Sequence, residues 1–164
     1  MFKDPENMLK GDMAQSLVEN LLRAVGNQVY RFGYESILQN LTQVDRVFDR
    51  YSDEGEQISS IPDFLVVNKK GRPILIEVKF RWNGMWQKDD IQKLKNVKDF
   101  WKAQIILVNC ASKPYFRLLA PPYDVSIKNS LYESDEFGMN DVPRSIFDKF
   151  DSLVEKYISV TLKK

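Results

Sequence analysis

The stretch that decides the fold runs from residue 61 to residue 80. It consists of Ile61-Pro-Asp-Phe-Leu-Val-Val67, the polar segment Asn68-Lys-Lys-Gly-Arg-Pro73 and the apolar run Ile74-Leu-Ile-Glu-Val-Lys-Phe80. This pattern predicts two strands joined by a turn. Side chains alternate along a strand, so Glu77 and Lys79 share one face of a strand that otherwise looks buried. Because burying charge is costly unless the charge is paired or binds a metal, the two residues indicate a site.

The spacing of the hairpin brings a third ionisable group to the same place. The turn is centred near residues 70 and 71, which puts Asp63 opposite residues 77 to 79. Pro62 limits strand pairing just before Asp63. Two adjacent carboxylates repel each other, and a bound Mg²⁺ or Mn²⁺ relieves that repulsion. Such an ion can activate water for phosphodiester hydrolysis, while Lys79 can orient or deprotonate that water or stabilise developing negative charge.

The rest of the chain supplies helices and strands around this hairpin. Hydrophobic periodicity and turn residues predict helices over 11–25, 89–101 and 143–160, strands over 28–32 and 104–109, and a further candidate strand over 115–119. The segment 34–51 is ambiguous and is interpreted as a helical excursion that ends in an acidic loop at 52–57. This order predicts an α/β fold with a mixed central sheet flanked by helices and closed by a C-terminal helix.

The hairpin residues resemble the motif of the PD-(D/E)xK nuclease superfamily, in Ile61-Pro62-Asp63 and Ile76-Glu77-Val78-Lys79. That superfamily includes type II restriction enzymes, archaeal Holliday-junction resolvases, and repair and recombination nucleases. The resemblance implies one nuclease domain, with a restriction-endonuclease-like αβββαβ core over about 11–110 and a C-terminal extension over 111–164. It also implies a DNA endonuclease dependent on Mg²⁺ or Mn²⁺, in which Asp63, Glu77 and the Val78 carbonyl bind metal and Lys79 is the catalytic cation.

The first helix departs from the family pattern. In the resolvase-like subgroup an acidic residue follows the glycine, here Gly11, by about four positions, where this chain has Gln15. Glu19 lies one turn further along the same helix face. Either Glu19 takes the place of the family acid, or Gln15 binds metal or water less strongly, or the site is weakened. Glu19 could also be an ordinary exposed glutamate.

A basic middle segment is compatible with a phosphate-binding face. Residues 69–102 hold ten Lys and Arg against four Asp and Glu, a net +6 in a chain whose total is +1. The alternative is a set of solvated surface charges. The candidate nucleic-acid contacts are Arg81, Lys88, Gln92, Lys93 and Lys95.

Two tryptophans follow the catalytic strand directly. Trp82 and Trp86 could stack on bases or wedge into a DNA junction, and they could equally be core or dimer-contact residues.

Composition removes several other chemistries. The 164-residue chain has no histidine, which excludes Ser-His-Asp and Cys-His catalysis and the usual zinc sites. Cys110 is the single cysteine, so no internal disulfide forms, and a reducing cytoplasm is the expected location. No apolar run approaches the length of a membrane span.

Cutting two strands calls for two sites, so a homodimer is expected. The rival interpretation is a non-cleaving nucleic-acid-binding module on the same fold, motivated by Gln15.

Overall fold

The structure, a computed structural model, describes residues 4–33, 49, 51–126 and 128–159. Within these ranges it is an α/β fold with a five-stranded mixed sheet and four helices, one of them C-terminal, as the sequence predicts. The helices are α1 (Pro5–Ala24), α2 (Asp53–Ser59), α3 (Lys88–Asn96) and α4 (Arg144–Leu153). The strands are β1 (Gln28–Arg31), β2 (Phe64–Val67), β3 (Pro73–Phe80), β4 (Gln104–Val108) and β5 (Phe116–Leu119).

The strands lie in the order β1-β2-β3-β4-β5, and every neighbouring pair is antiparallel except β3 and β4, which are parallel. Phe64 pairs with Ile76 and Val67 with Pro73. The same register carried one residue further sets Asp63 level with Glu77, within the window that the hairpin spacing predicts. The candidate site therefore lies where β2 begins and β3 approaches its end.

The first helix begins six residues earlier than its periodicity predicts. The side chain of Asp4 accepts a hydrogen bond from the Glu6 N–H at 3.1 Å, and Pro5 occupies the first helical position. Both are favourable at a helix start, because they satisfy or remove N–H groups that have no partner within the helix. The helix ends before Gly26, whose φ of 107° is a conformation that favours glycine.

Two predicted segments differ from the structure. The acidic loop predicted at 52–57 is wrong, because residues 53–59 form α2: the Ser52 hydroxyl caps the Gly55 N–H at 3.0 Å, and the acidic first turn suits the helix dipole. The strand predicted from Ile61 begins only at Phe64, because Pro62 has no N–H to donate. The helical excursion predicted over 34–51 falls almost entirely outside the described residues.

The other predicted elements agree closely with the structure. The helix predicted over 89–101 begins at Lys88 and widens into a π-helical turn, Val97–Trp101. The helix predicted over 143–160 begins at Arg144, and α4 likewise continues as a π-helical turn, Val154–Ile158. The candidate strand over 115–119 is β5, which pairs with β4.

Apolar side chains cover both faces of the sheet. Ala14, Val18 and Leu22 of α1 are buried in the main cluster together with Ile76 and Val78 of β3. Residues of the C-terminal region, including Phe150 and Val154, join the same cluster. A smaller cluster is formed by Leu94, Ile105 and Leu119, with Trp86 and Tyr123 packed against it. The apolar face of β3 is thus buried in the main cluster beside α1. No helix in the described ranges is long and apolar enough to cross a membrane.

Candidate active site

Hydrogen bonds at the point where β2–β3 pairing ends fix the position of Asp63. The ladder ends at Phe64, and the Asp63 Oδ2 atom accepts the Val78 N–H at 2.8 Å. The Asp63 carbonyl accepts hydrogen bonds from the N–H groups of Phe32 at 2.9 Å and Gly33 at 3.2 Å, just after β1. The side chain therefore replaces a main-chain acceptor at the strand end. Its carboxylate is held against β3 before any ligand arrives.

Glu77 and Lys79 form an ion pair on one face of β3, as the alternation of side chains predicts. The Lys79 Nζ atom lies 3.0 Å from Glu77 Oε1, and Glu77 is only 8% exposed. Burial raises the pKa of the Glu77 carboxyl, while the charge of Lys79 and hydrogen bonds from Lys79 and Asp63 oppose that rise. Glu77 is therefore paired directly with Lys79, and the strand register sets Asp63 level with it.

These residues open onto a cleft of about 840 Å³. The cleft runs across the sheet where β2 begins and β3 ends, and the N-terminal half of α1 forms one wall. Five of the predicted catalytic and metal-binding residues line it: Gln15, Asp63, Glu77, Val78 and Lys79. The sequence therefore identified residues that the fold gathers into one cavity.

The two candidates on the first helix lie in different surroundings. Gln15 lines the cleft and donates from Nε2 to Asp63 Oδ1 at 3.2 Å. Glu19 is buried one turn further along, where its carboxylate oxygens lie 3.0 Å from guanidinium nitrogens of Arg23 and Arg31. Among the described residues, Glu19 is not part of the cleft lining. Of these two candidates, Gln15 is therefore the one that reaches the site.

The donor set fits a hard divalent cation. Asp63 and Glu77 supply two carboxylates that the β2–β3 register sets level with each other, and the amide of Gln15 contacts Asp63. In the described part of the chain no group of three or more Asp, Glu, His or Cys residues could hold a metal ion. Mg²⁺ commonly binds through only one or two carboxylates, with water and substrate phosphates completing its octahedron. Two carboxylates therefore suffice, while the Val78 carbonyl stays a prediction.

Arg81, predicted to contact nucleic acid, lines the cleft but is strongly engaged within the protein. Its guanidinium donates to both carboxylate oxygens of Asp90, through Nε at 2.8 Å and through Nη2, and to the Phe80 carbonyl at 2.8 Å. Asp90 is 2% exposed and also accepts the Gln87 N–H at 3.0 Å, closing a capping box at the start of α3. Arg81 therefore joins the end of β3 to α3.

The other predicted nucleic-acid contacts belong to α3. Lys88 and Lys95 are exposed on this helix. Gln92 and Lys93 lie in the same helix, but their side chains are outside what the structure describes. Trp86 is half-buried against the smaller apolar cluster, whereas Trp82 is exposed and lines the cleft. The two tryptophans, equivalent in the sequence argument, thus have different surroundings.

The cleft also contains residues that the sequence argument did not single out. Lys10, Asp12 and Arg31 line it, and Lys10 is buried. Lys10 sits one residue before Gly11 in the segment compared with the family helix, and that position is the only sequence signal that could have identified it. Arg31 lines the cleft only because β1 lies beside β2, which the local pattern of the sequence does not specify.

Comparison with protein-family models, with curated proteins and with solved structures gave no significant match to this chain. The case for its function therefore depends on the site.

Proposed function

We propose that this chain is a metal-dependent DNA endonuclease of the PD-(D/E)xK type, with a restriction-endonuclease-like core. The observation that carries the proposal is that Asp63, Glu77 and Lys79 line a single cleft, where Lys79 is paired with buried Glu77 and the strand register sets Asp63 level with Glu77. A buried carboxylate, a second oriented carboxylate and an amine are the groups that phosphodiester hydrolysis needs around a divalent ion. The resolvase-like pattern on α1 makes branched DNA one of the substrates to test.

The reaction would proceed by attack of a water oxygen on the phosphorus of a phosphodiester. The bond from phosphorus to the leaving oxygen breaks, and a proton ends on that oxygen. Asp63 and Glu77 would hold Mg²⁺ or Mn²⁺, with the Val78 carbonyl as a third ligand. The bound ion supplies charge neutralisation and a more acidic water.

The other groups of the site orient Asp63 and stabilise charge. The hydrogen bonds from Val78 and Gln15 keep the Asp63 carboxylate in one orientation, so little reorganisation is needed when a ligand binds. Lys79 is about a third exposed on its side chain, so its amine can donate to water or to a phosphate oxygen while its contact with Glu77 limits its freedom. We assign Lys79 to stabilising the negative charge that develops in the transition state.

A second candidate function is a non-cleaving nucleic-acid-binding module. The observation in its favour is the neutral amide of Gln15 beside Asp63, where a further carboxylate would strengthen metal binding. The intact group of Asp63, Glu77 and Lys79 favours the enzyme, because a module that only binds DNA has no use for a paired buried carboxylate.

The proposal extends to partners and location. DNA is the expected partner, a homodimer would supply the second site for a second strand, and the cytoplasm is the expected location.

The experiment that tests the proposal incubates the purified protein with labelled linear, circular and branched DNA in Mg²⁺, Mn²⁺ or EDTA. Glu77→Gln is the matched inactive variant, because it preserves size while removing the charge that would hold the ion. Cleavage by wild type in either metal, lost in EDTA and in Glu77→Gln, is expected. Salt-dependent DNA binding without cleavage of any substrate would favour the binding module.

A further inference from the structure

Trp82 is an exposed aromatic side chain on an anchored loop. It is 56% exposed and lines the cleft three residues after Lys79. The Trp82 carbonyl accepts the Cys110 N–H at 3.3 Å, and the Arg81 N–H donates to the Val108 carbonyl at 3.0 Å. The loop therefore follows the end of β4 closely, and the indole stands at the edge of the cleft on a fixed main chain.

The far end of this loop is fastened as well. Buried Arg117 donates from Nη1 to the Gly84 carbonyl at 2.9 Å. Gly84 has φ 69°, and a Cβ at this position would come within 2.3 Å of Arg117 Nη1, so the turn requires glycine. Because both ends of the loop are held, stacking on Trp82 would cost little conformational entropy.

Lys10 supplies a cation to the lining of the same cleft. It is 7% exposed, and its partner Glu6, 3.4 Å away, has a largely exposed side chain. An ammonium group has three donors, so this one contact leaves capacity for an anion. Burial raises the pKa of the Cys110 thiol, and the charge of Lys10 opposes that rise. Cys110 is also the residue that holds the Trp82 carbonyl.

We propose that Trp82 and Lys10 form a subsite for one unpaired nucleotide, with the base stacked on the indole and its phosphate bound by the ammonium group. In a continuous duplex every base face is already stacked, so this subsite requires DNA that is single-stranded, gapped or opened at a branch. The inference rests on the proposed function, since it names the form of DNA that this cleft accepts.

The test measures binding by fluorescence anisotropy in Ca²⁺ for three labelled DNAs of one sequence: a single strand, a continuous duplex and a duplex with a short gap. Wild type should bind the single strand and the gapped duplex more tightly than the continuous duplex. Trp82→Ala and Trp82→Gln should weaken binding to unpaired DNA by roughly 5- to 150-fold, the effect of about 1–3 kcal/mol of stacking. Trp82→Phe should retain most of the affinity.

Two further variants refine the test. Phe100→Ala removes an exposed aromatic side chain that, among the described residues, is not part of the cleft lining, and should bind as wild type does. Lys10→Met should reduce the dependence of log affinity on log salt by about 0.7 for the single strand, the value expected when one phosphate is no longer neutralised. Circular dichroism and thermal unfolding establish that each variant is folded.

The inference would be overturned if folded Trp82→Ala bound unpaired DNA as wild type does, or if wild type preferred the continuous duplex. Cleavage in Mg²⁺, measured separately, tells the two proposals apart. Trp82-dependent binding without cleavage would retain the subsite and refute the nuclease. Cleavage in Mg²⁺ together with binding of unpaired DNA that is unchanged in Trp82→Ala would retain the nuclease and refute the subsite.

Discussion

Gln15 Nε2 donates a hydrogen bond to Asp63 Oδ1 over 3.2 Å, linking α1 to the residue that precedes β2 across 48 positions of sequence. A neutral amide satisfies this carboxylate without adding charge to a site that already holds Glu77. Gln15→Glu should therefore lower the free energy of unfolding by about 1 kcal/mol in the absence of divalent ions, through repulsion and the removal of a donor. It should also raise Mn²⁺ affinity on the order of tenfold, because ligand charge tunes cation binding.

The measurement for Gln15→Glu is chemical unfolding with and without Mn²⁺, together with titration calorimetry. Asn20→Asp is the matched control, because it places the same new charge on an exposed position of α1. If Gln15→Glu and Asn20→Asp change Mn²⁺ affinity equally, Gln15 does not belong to the metal site.

Glu19 is expected to contribute to the stability of the fold and not to metal binding. Its carboxylate pairs with Arg23 and Arg31, both about half exposed, while Glu19 itself is buried. Glu19→Gln should therefore lower the free energy of unfolding by about 1–2 kcal/mol, the worth of charged hydrogen bonds moderated by solvent around the arginines. The rise in melting temperature caused by Mn²⁺ should match that of wild type. If Glu19→Gln were as stable as wild type but its melting temperature no longer rose with Mn²⁺, Glu19 would instead be a metal ligand.

Arg81 is expected to stabilise the fold through Asp90 and not to bind DNA. Arg81→Ala leaves Asp90 buried without its counter-charge, so we expect a loss of about 3 kcal/mol in the free energy of unfolding. Arg81→Lys should recover only part of it, because an ammonium group cannot form the two-pronged contact. The double variant Arg81→Met with Asp90→Asn should be more stable than Arg81→Ala. If Arg81→Ala were as stable as wild type but bound DNA more weakly, Arg81 would instead contact nucleic acid.

The exposed lysines of α3 are expected to bind phosphates without regard to sequence. Lys88→Glu with Lys95→Glu should weaken binding to unrelated duplexes about equally and reduce the salt dependence, by about 0.9 in log–log slope for each phosphate that is no longer neutralised. The same changes at Lys149 and Lys156, exposed in the C-terminal helical region, alter net charge identically and serve as the control. Equal effects from both pairs would mean that only total charge matters.

The hairpin can be predicted from sequence because it is determined by residues that are close together along the chain. Strand alternation puts Glu77 beside Lys79, and turn spacing puts Asp63 level with them, so three residues could be assigned to one site without knowing the rest of the fold. The exact start of β2 was missed, since the pattern does not show that the Asp63 side chain takes over a main-chain hydrogen bond.

Other features depend on tertiary contacts that no local pattern contains. The choice between Gln15 and Glu19 depends on how α1 is placed on the sheet, and Glu19 finds its partner Arg31 only because β1 returns beside the helix. Trp82 lines the cleft whereas Trp86 packs against the smaller apolar cluster, and Arg117 of β5 holds the loop between them at Gly84. The acidic residues of α2 alone predict a loop, whereas the Ser52 cap at the start of the segment stabilises a helix.

Asp63, Glu77 and Lys79 are proposed to act together with a divalent ion in cleaving DNA, and the most direct test is the single-turnover cleavage rate of Lys79→Met against wild type in Mg²⁺. Lys79 is assigned to the transition state, so the rate should fall by a factor on the order of 10²–10³. Mn²⁺ and DNA affinities should change little, and Lys149→Met should cleave as wild type does. Cleavage by Lys79→Met at the wild-type rate would contradict the mechanism, even with the fold unchanged.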